Sequence, residues 1–469
     1  MRTEAAHVAE HAGAPVAFGD AFRVWCRVAA LSFGGPAGQI AVMQRILVDE
    51  KRWVSQERFL HALNYCMLLP GPEAQQLATY IGWLLHGLRG GLVAGTLFVL
   101  PGFVAILTLS ILYASARDVP IVAAALFGLK AAVLAIVVEA LVRIGKRALN
   151  GPAKKLIAAL AFVGIFFFDL PFPLIVLLAA IAGLVSGRQG AVGFASAVPA
   201  HASSGRAGDL GPDAVEPRFS AEATREPSLW RSARVTAIWL ALWWIPVAAL
   251  WAWLGGSSVF TREAIFFSQA AVVTFGGAYA VLAYIGQRAV EDFGWLGPRE
   301  MLDGLGMAET TPGPLIQVVQ FVAFMGAWRQ PEPFSPLLAG VLGSVVATWV
   351  TYTPCFLWIF LGAPYIEWLR QRRSLTHALS GITAAVVGVI LNLAVWFALH
   401  TLFGIVHEVE LALGRLWLPA WSTLDWGAAA IAALSFASLF ALRWGIMRTL
   451  LLGVTGGIAI HALKALLER

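Results

Sequence analysis

Two Pro-Gly-Pro triplets, each followed by a glutamine, are the residues of this sequence best suited to binding a ligand. They occur in "LLPGPEAQQL" at Leu68–Leu77 and in "TTPGPLIQVVQ" at Thr310–Gln320. Proline removes a backbone hydrogen bond, so each triplet interrupts an apolar helix, and a new helix begins after it. The start of a helix offers unpaired N–H groups and roughly half a positive charge. Such an end can bind an anion without a buried lysine.

Two Phe-Gly-Gly breaks offer the same chemistry, one in "FGGPAGQIAV" at Phe33–Val42 and one in "FGGAYAVLAY" at Phe275–Tyr284. Glycine lets backbone amides approach a ligand closely, and nearby glutamine and threonine side chains add neutral donors. The candidate substrate-binding residues are Gly34, Gly35, Pro36, Pro70, Gly71, Pro72, Gln75, Gly276, Gly277, Thr311, Pro312, Gly313, Pro314 and Gln317.

Four such helix starts, converging on one point, would offer about two positive charges. That charge matches a dianionic tetrahedral oxyanion, which needs many donors to replace its water. The alternative is that the glycines are helix-packing positions and the prolines are kinks, both frequent in membrane helices. Because the breaks recur in one register, we favour the binding site.

Four charged residues are candidates for coupling or gating. Glu73 would repel a dianion if ionised but could carry a proton; alternatively, it is an acid favoured at a helix start. Lys130 could offset substrate charge, or it could pair with an acid or extend to the interface. Arg45 and Arg288 follow the glycine breaks and could attract anions, although interfacial bases are the favoured interpretation.

Four further positions have structural predictions. Glu139 and Arg143 are spaced to form an ion pair along one helix. Trp53 and Trp295 are predicted to be interfacial anchors.

The elements that position these residues are membrane helices. The chain has 469 residues, of which 59% are hydrophobic and 13% charged, whereas soluble domains are usually about a quarter charged. Long apolar runs predict helices and not the short alternating strands of a barrel. We therefore predict an all-α integral membrane protein in contact with the lipid bilayer.

The chain is a tandem duplication. Phe33 aligns with Phe275, and the same register pairs Trp53 with Trp295 and both Pro-Gly-Pro triplets with each other. A second register pairs Pro101 with Pro354, and the difference is absorbed near "AWRQPEPFSP" at Ala327–Pro336.

Five regions follow from this duplication. They are a cytoplasmic N-terminal segment (1–17), a first repeat of about six helical segments (18–187), a cytoplasmic linker (188–231), an extra transmembrane helix (232–254) and a second repeat (261–469). Bases concentrate in "RIGKRALNGPAKK" and "RQRRS", which places both loops in the cytoplasm. The extra helix then inverts the second repeat relative to the first. The N-terminus is cytoplasmic in this topology.

Other functions lack the residues that they need. The three cysteines are far apart, no His/Cys cluster has metal-ligand spacing, and no nucleotide-binding loop occurs. We expect no metal, no cofactor and no enzyme activity. The net charge of +6 comes mostly from loops between apolar runs, so we expect no nucleic-acid partner. A homodimer is compatible with the sequence.

The paired motifs resemble the chromate ion transporter family in its long, two-domain form. The resemblance rests on "FGGPAGQIAVMQRILVDEKRW", "LNYCMLLPGPEAQQLATYIGW", "GGLVAGTLFVLPGF", "TFGGAYAVL" and "TTPGPLIQVVQFVAF". It implies export of chromate across the bacterial inner membrane as a resistance function. It also implies that chromate is handled as a sulfate-like anion, with transport driven by the membrane potential or a proton gradient. The residues alone indicate a secondary anion transporter. Sulfate or another oxyanion as substrate, and a passive anion channel, are the alternatives.

Overall fold

The computed structural model describes residues 16–33, 35–116, 119–188, 219–220, 228–275, 278–365, 373–411 and 414–467. These residues are almost entirely helical. Six of the described helices are long and apolar enough to cross a membrane. The prediction of an all-α membrane protein is therefore confirmed.

The first repeat begins with short helices on either side of its breaks and ends with longer ones. Its helices are α1 (Phe18–Leu31), α2 (Gly35–Gln44), α3 (Gln56–Cys66), α4 (Glu73–Ala116), α5 (Pro120–Ala148), α6 (Pro152–Phe168) and α7 (Phe172–Arg188). Helix α8 (Leu229–Leu254) follows as the extra helix between the repeats.

The second repeat has the same order of elements. Its helices are α9 (Val259–Val273), α10 (Ala278–Gln287), α11 (Pro298–Thr310), α12 (Val318–Arg329), α13 (Pro336–Gly362), α14 (Arg373–Leu402), α15 (Trp426–Phe436) and α16 (Ile446–Leu467). An antiparallel hairpin of β1 (Val406–Leu411) and β2 (Gly414–Pro419) lies between α14 and α15. This hairpin was not predicted, and it has no counterpart among the described elements of the first repeat.

The duplication extends to local backbone geometry. A π-helical turn follows each glycine break, at Arg45–Glu50 and Arg288–Asp292. After these turns, the Trp53 amide donates to the Leu47 carbonyl and the Trp295 amide donates to the Ala289 carbonyl, both at 2.9 Å. The two copies therefore share one backbone path.

Helix α4 folds back on itself after the first Pro-Gly-Pro break. Its backbone is non-helical at His86 and Gly87. The two arms then run so close together that a Cβ added to Gly82 would lie 2.6 Å from the Ala94 Cβ. Helices α12 and α13 form the equivalent pair in the second repeat. Each break lies beside a long apolar helix of the other repeat, Gly71 beside α13 and Gly313 beside α4.

The repeats interlock through their last helices. Helix α16 of the second repeat packs on α5 of the first, and α7 of the first packs on α14 of the second. Glycines make both contacts close. A Cβ on Gly457 would lie 2.9 Å from the Gly128 Cα, and a Cβ on Gly381 would lie 2.9 Å from the Gly183 Cα. Small residues at helix crossings are typical of membrane proteins.

The predicted interfacial role of Trp295 is wrong. Its side chain is fully buried and stacks on Phe293 with ring centroids 4.3 Å apart. Phe266 and Phe267 complete this aromatic cluster. Trp53, its counterpart, is partly buried. Tryptophan position in the sequence cannot distinguish an aromatic core from an interfacial belt, because both environments favour the same residue.

Candidate functional site

Each Pro-Gly-Pro break is hydrogen-bonded to the other repeat. The Gly71 amide donates to the Thr274 carbonyl at 2.7 Å, and the Gly313 amide donates to the Ser32 carbonyl at 2.9 Å. Ser32 and Thr274 are themselves equivalent, each standing just before a Phe-Gly-Gly motif. The two bonds therefore cross between the repeats in a twofold pattern. The residues just before the two Phe-Gly-Gly motifs thus contact the two Pro-Gly-Pro breaks at this crossing.

The ends of α1 and α9 explain why these carbonyls accept. A helix end leaves carbonyl groups without intrahelical partners. The Ser32 hydroxyl donates back to the Val28 carbonyl and the Thr274 hydroxyl donates back to the Ala270 carbonyl, both at 2.6 Å. Both side chains are buried. The sequence did contain a signal for these partners: a lone hydroxyl residue immediately before each Phe-Gly-Gly motif.

A second pair of equivalent residues lies against the breaks. A Cβ added to Gly102 would lie 2.6 Å from the Pro312 carbonyl oxygen. A Cβ added to Gly71 would lie 2.8 Å from the Cys355 sulfur. Gly102 and Cys355 follow the matched prolines of α4 and α13. The long helices therefore line the crossing on both sides, which the sequence motifs alone did not reveal.

Buried glutamine side chains form hydrogen bonds within and beside the breaks. Gln75 donates to the Thr79 hydroxyl at 3.1 Å, and its counterpart Gln317 donates to Gln320 at 2.6 Å. Gln76 donates to the Pro70 carbonyl at 2.7 Å. Gln39, which sequence reasoning missed, donates to the Gly313 carbonyl at 2.5 Å. The amide nitrogens of Gln75 and Gln317 thus have protein acceptors, and in the described residues their side-chain oxygens have no partner.

The remaining candidates at the breaks fall into two groups. Gly34, Gly276 and Gly277 lie outside the described residues. Gly35 begins α2 with a φ of +69°, and Pro36 follows it in the first turn. The Pro70–Pro72 triplet separates α3 from α4, and Thr311–Pro314 separates α11 from the short 3-10 turn before α12. Glu73 is the first residue of α4 and is partly exposed.

Lys130 is paired with an acid. Its ammonium nitrogen lies 3.2 Å from the Asp303 carboxylate, which also accepts a hydrogen bond from the Tyr113 hydroxyl at 2.8 Å. Asp303 is almost completely buried. The charge of Lys130 is therefore offset within the protein, which was one of the alternatives for this residue. Asp303 was missed because nothing at its counterpart, His61, suggests a buried acid.

The two candidate arginines lie away from the crossing. Arg45 and Arg288 are in the π-helical turns, at the far ends of α2 and α10 from the breaks. Ten helical residues span about 15 Å. Arg45 lies 3.7 Å from Glu50, and Arg288 pairs with Asp292. Glu139 and Arg143 form the predicted ion pair at 3.2 Å.

The geometry provides neutral and backbone groups for a ligand. The first turns after the breaks carry N–H groups that a helix cannot pair internally, and these attract negative charge. The described residues contain no cluster of His, Cys, Asp or Glu that could hold a metal ion. Their three cysteines are free.

These features define a class: multi-pass membrane proteins with duplicated, interlocked repeats and broken helices at the repeat interface, an architecture found in transporters. Within that class, the chain belongs to the chromate transporter family. The family model "Chromate transporter" matches residues 19–184 and 262–460. The two matched regions correspond to the two repeats.

Curated relatives carry matching names. A chromate transport protein of Pseudomonas aeruginosa is 31% identical over 384 residues, 80% of each chain. A probable chromate transport protein of Synechococcus elongatus is 26% identical over 78% of this chain and 80% of the relative. A chromate transport protein of Cupriavidus metallidurans is 24% identical over 81% of this chain and 82% of the relative. No solved structure gives a significant match.

Proposed function

We propose that the protein is a secondary active transporter that exports chromate across the bacterial inner membrane and so confers chromate resistance. Family membership and the names of the relatives support chromate as the substrate. In this proposal the N-terminus is cytoplasmic, which the distribution of basic loops favours.

The crossed hydrogen bonds at the breaks are the observation that carries this proposal. Gly71 bonds to Thr274 and Gly313 bonds to Ser32, so one centre is built jointly from both repeats. In alternating access, two repeats move relative to each other around a fixed site. A centre made of contacts between repeats is where such a movement would open or close a path.

The anion is held, in this proposal, by the first turns of the helices that begin after the breaks. The amides of Gly71 and Gly313 are already bonded to Thr274 and Ser32, so the donors are the amides that follow each triplet. Chromate and sulfate share two negative charges and tetrahedral geometry, so both fit such a site. The membrane potential or a proton gradient supplies the driving force.

Two alternatives make different predictions. A transporter for sulfate or another oxyanion has the same centre but a different order of affinities. A passive anion channel dissipates gradients and cannot accumulate its substrate.

Purified protein in liposomes tests these functions together. We expect chromate accumulation against its own concentration gradient when a membrane potential or a pH gradient is imposed, with inhibition by excess sulfate. Empty liposomes are the control. Sulfate flux without chromate flux would favour the first alternative, and downhill flux without accumulation would favour the channel. Absence of chromate flux under every gradient, with folded protein, would refute the proposal.

A further inference from the structure

Helix α11 carries a second buried acid, Glu309, immediately before the second Pro-Gly-Pro break. The residue is 2% exposed, and only Thr310 and Thr311 separate it from Pro312. One of its carboxylate oxygens has no hydrogen-bond partner among the described residues. The proposed function assigns no role to this group.

The other oxygen links the two breaks of the second repeat. The Tyr279 hydroxyl donates to Glu309 at 2.5 Å. Tyr279 lies in the first turn of α10, two residues after the Phe-Gly-Gly motif, and is buried. The pair therefore lies between the helix start of one break and the helix end that leads into the other.

Among the described residues, no basic side chain forms an ion pair with Glu309. The charged residues that act on it are Arg143 and Glu139 of α5, and these pair with each other at 3.2 Å. The other acid of α11, Asp303, is paired with Lys130. An ionised carboxylate buried against a single hydroxyl group is costly, and a dianion bound at the adjacent break would add repulsion. Ionisable groups in such places within membrane proteins are often functional.

We propose that Glu309 takes up one proton when the oxyanion binds, with Tyr279 as its positioning residue. This inference rests on the proposed function, because it requires an anion at the breaks. Binding and protonation are then linked: the anion favours the protonated acid, and the protonated acid favours the anion. The proton and the anion occupy the centre in the same step of the cycle.

The proposed linkage involves one proton for each bound anion. The first repeat has Ala37 at the position of Tyr279 and Met67 at the position of Glu309. Neither residue can carry a proton, so the pair exists once in the molecule. This assignment differs from a role for Glu73, which stands on the opposite side of its break, at the start of α4.

The pH dependence of sulfate binding to the purified full-length protein tests the assignment. Sulfate remains a dianion between about pH 5 and pH 9, so a change of affinity in this range reports on the protein. For the wild type we expect affinity to fall by up to about tenfold per pH unit on the alkaline side, the slope of one linked proton. Glu309→Gln keeps the acceptor for Tyr279 and mimics the protonated acid, so it should bind with the same affinity at every pH.

Three further variants distinguish the role of Glu309 from the roles of Tyr279 and of other carboxylates. Tyr279→Phe should move the pH at which affinity falls without removing the slope, since only the position of the acid changes. Glu73→Gln should retain the slope, and so should Glu408→Gln, a matched loss of a carboxylate on the exposed β hairpin. The same slope in Glu309→Gln as in the wild type would overturn the assignment, and so would loss of the slope in Glu73→Gln.

Loss of sulfate binding at every pH in folded Glu309→Gln would also overturn the proposal. The carboxyl group would then be required for the structure of the site, and not as the carrier of a linked proton. If the wild type binds neither sulfate nor chromate, the proposed function itself fails and this inference falls with it. Wild-type binding with an unchanged slope in Glu309→Gln leaves the transporter standing and removes Glu309 alone.

Discussion

At the scale of single residues, the centre depends on glycine at positions 71 and 313 for two separate reasons. Their φ angles are +123° and +93°, in the region that residues with a side chain rarely adopt. Each also approaches another element closely: Gly71 approaches Cys355, and Gly313 approaches Gly102. The backbone conformation and the lack of a side chain are both needed for the crossed bonds.

Gly71→Ala and Gly313→Ala should each reduce chromate flux about tenfold or more while the protein still reaches the membrane. A side chain in the left-handed region costs about 1–2 kcal/mol, and the added Cβ would lie 2.7 Å from the Gln76 side chain in the first case. Liposome flux and membrane abundance are the measurements. Gly19→Ala, where an added Cβ meets nothing within 4 Å, is the control. Full flux in both variants would make the breaks structural kinks.

The sequence predicted these glycines because identical triplets occur in one register. It could not predict Gln39, Gly102 or Cys355, because their importance comes from proximity in space and not from their neighbours in the chain. Asp303 and Glu309 were missed for a related reason: each appears in one repeat only, so the comparison of repeats gave no signal.

At the scale of elements, the β hairpin joins the two repeats outside the apolar helices. Arg415 of β2 donates to Asp169, in the turn between α6 and α7, at 2.7 Å, and to Glu291, in the second π-helical turn, at 3.1 Å. It also bonds to Glu408 of β1 at 3.2 Å. Short alternating strands with exposed faces give a weak pattern inside a chain dominated by apolar helices, which is why the hairpin was not predicted.

Arg415→Ala should lower the free energy of unfolding by about 1–3 kcal/mol, because it removes charge-assisted hydrogen bonds. Burial raises the pKa of Glu291, and Arg415 lowers it. A protein that contains an acid with a raised folded-state pKa becomes less stable as the pH rises and that acid ionises. The loss in free energy of unfolding, relative to the wild type, should therefore be largest at alkaline pH and smallest where the carboxyls are protonated. Thermal unfolding in detergent across pH measures this effect, and an equal difference at every pH would contradict the explanation.

At the scale of the whole molecule, the repeats are interdependent. The crossed bonds, the contact of α16 with α5 and the contact of α7 with α14 all run between repeats. The duplication and the membrane class could be predicted from the sequence, because composition and register are properties of the chain. The interlocking could not, since it depends on which helices meet after both repeats have folded.

A chain cut between Gly205 and Arg206 should work only when both fragments are made together. Each fragment keeps one repeat, but neither contains both partners of the crossed bonds. Chromate resistance and liposome flux should be absent for each fragment alone and restored by co-expression. The uncut chain is the control. Transport by the first fragment alone would show that one repeat holds a complete centre.

The twofold pattern of the crossed bonds has a consequence for vectorial transport. Two hydrogen bonds related by the repeat do not distinguish one face of the membrane from the other. A protein with two identical repeats would therefore be equally accessible to the substrate from both faces. Directionality must then come from the places where the halves differ. Differences in charged residues include Glu309 against Met67, Asp303 against His61, Lys130 against Thr383 and Glu73 against Leu315. In the proposed transporter, any preference for one face of the membrane therefore rests on such differences and not on the twofold pair of hydrogen bonds.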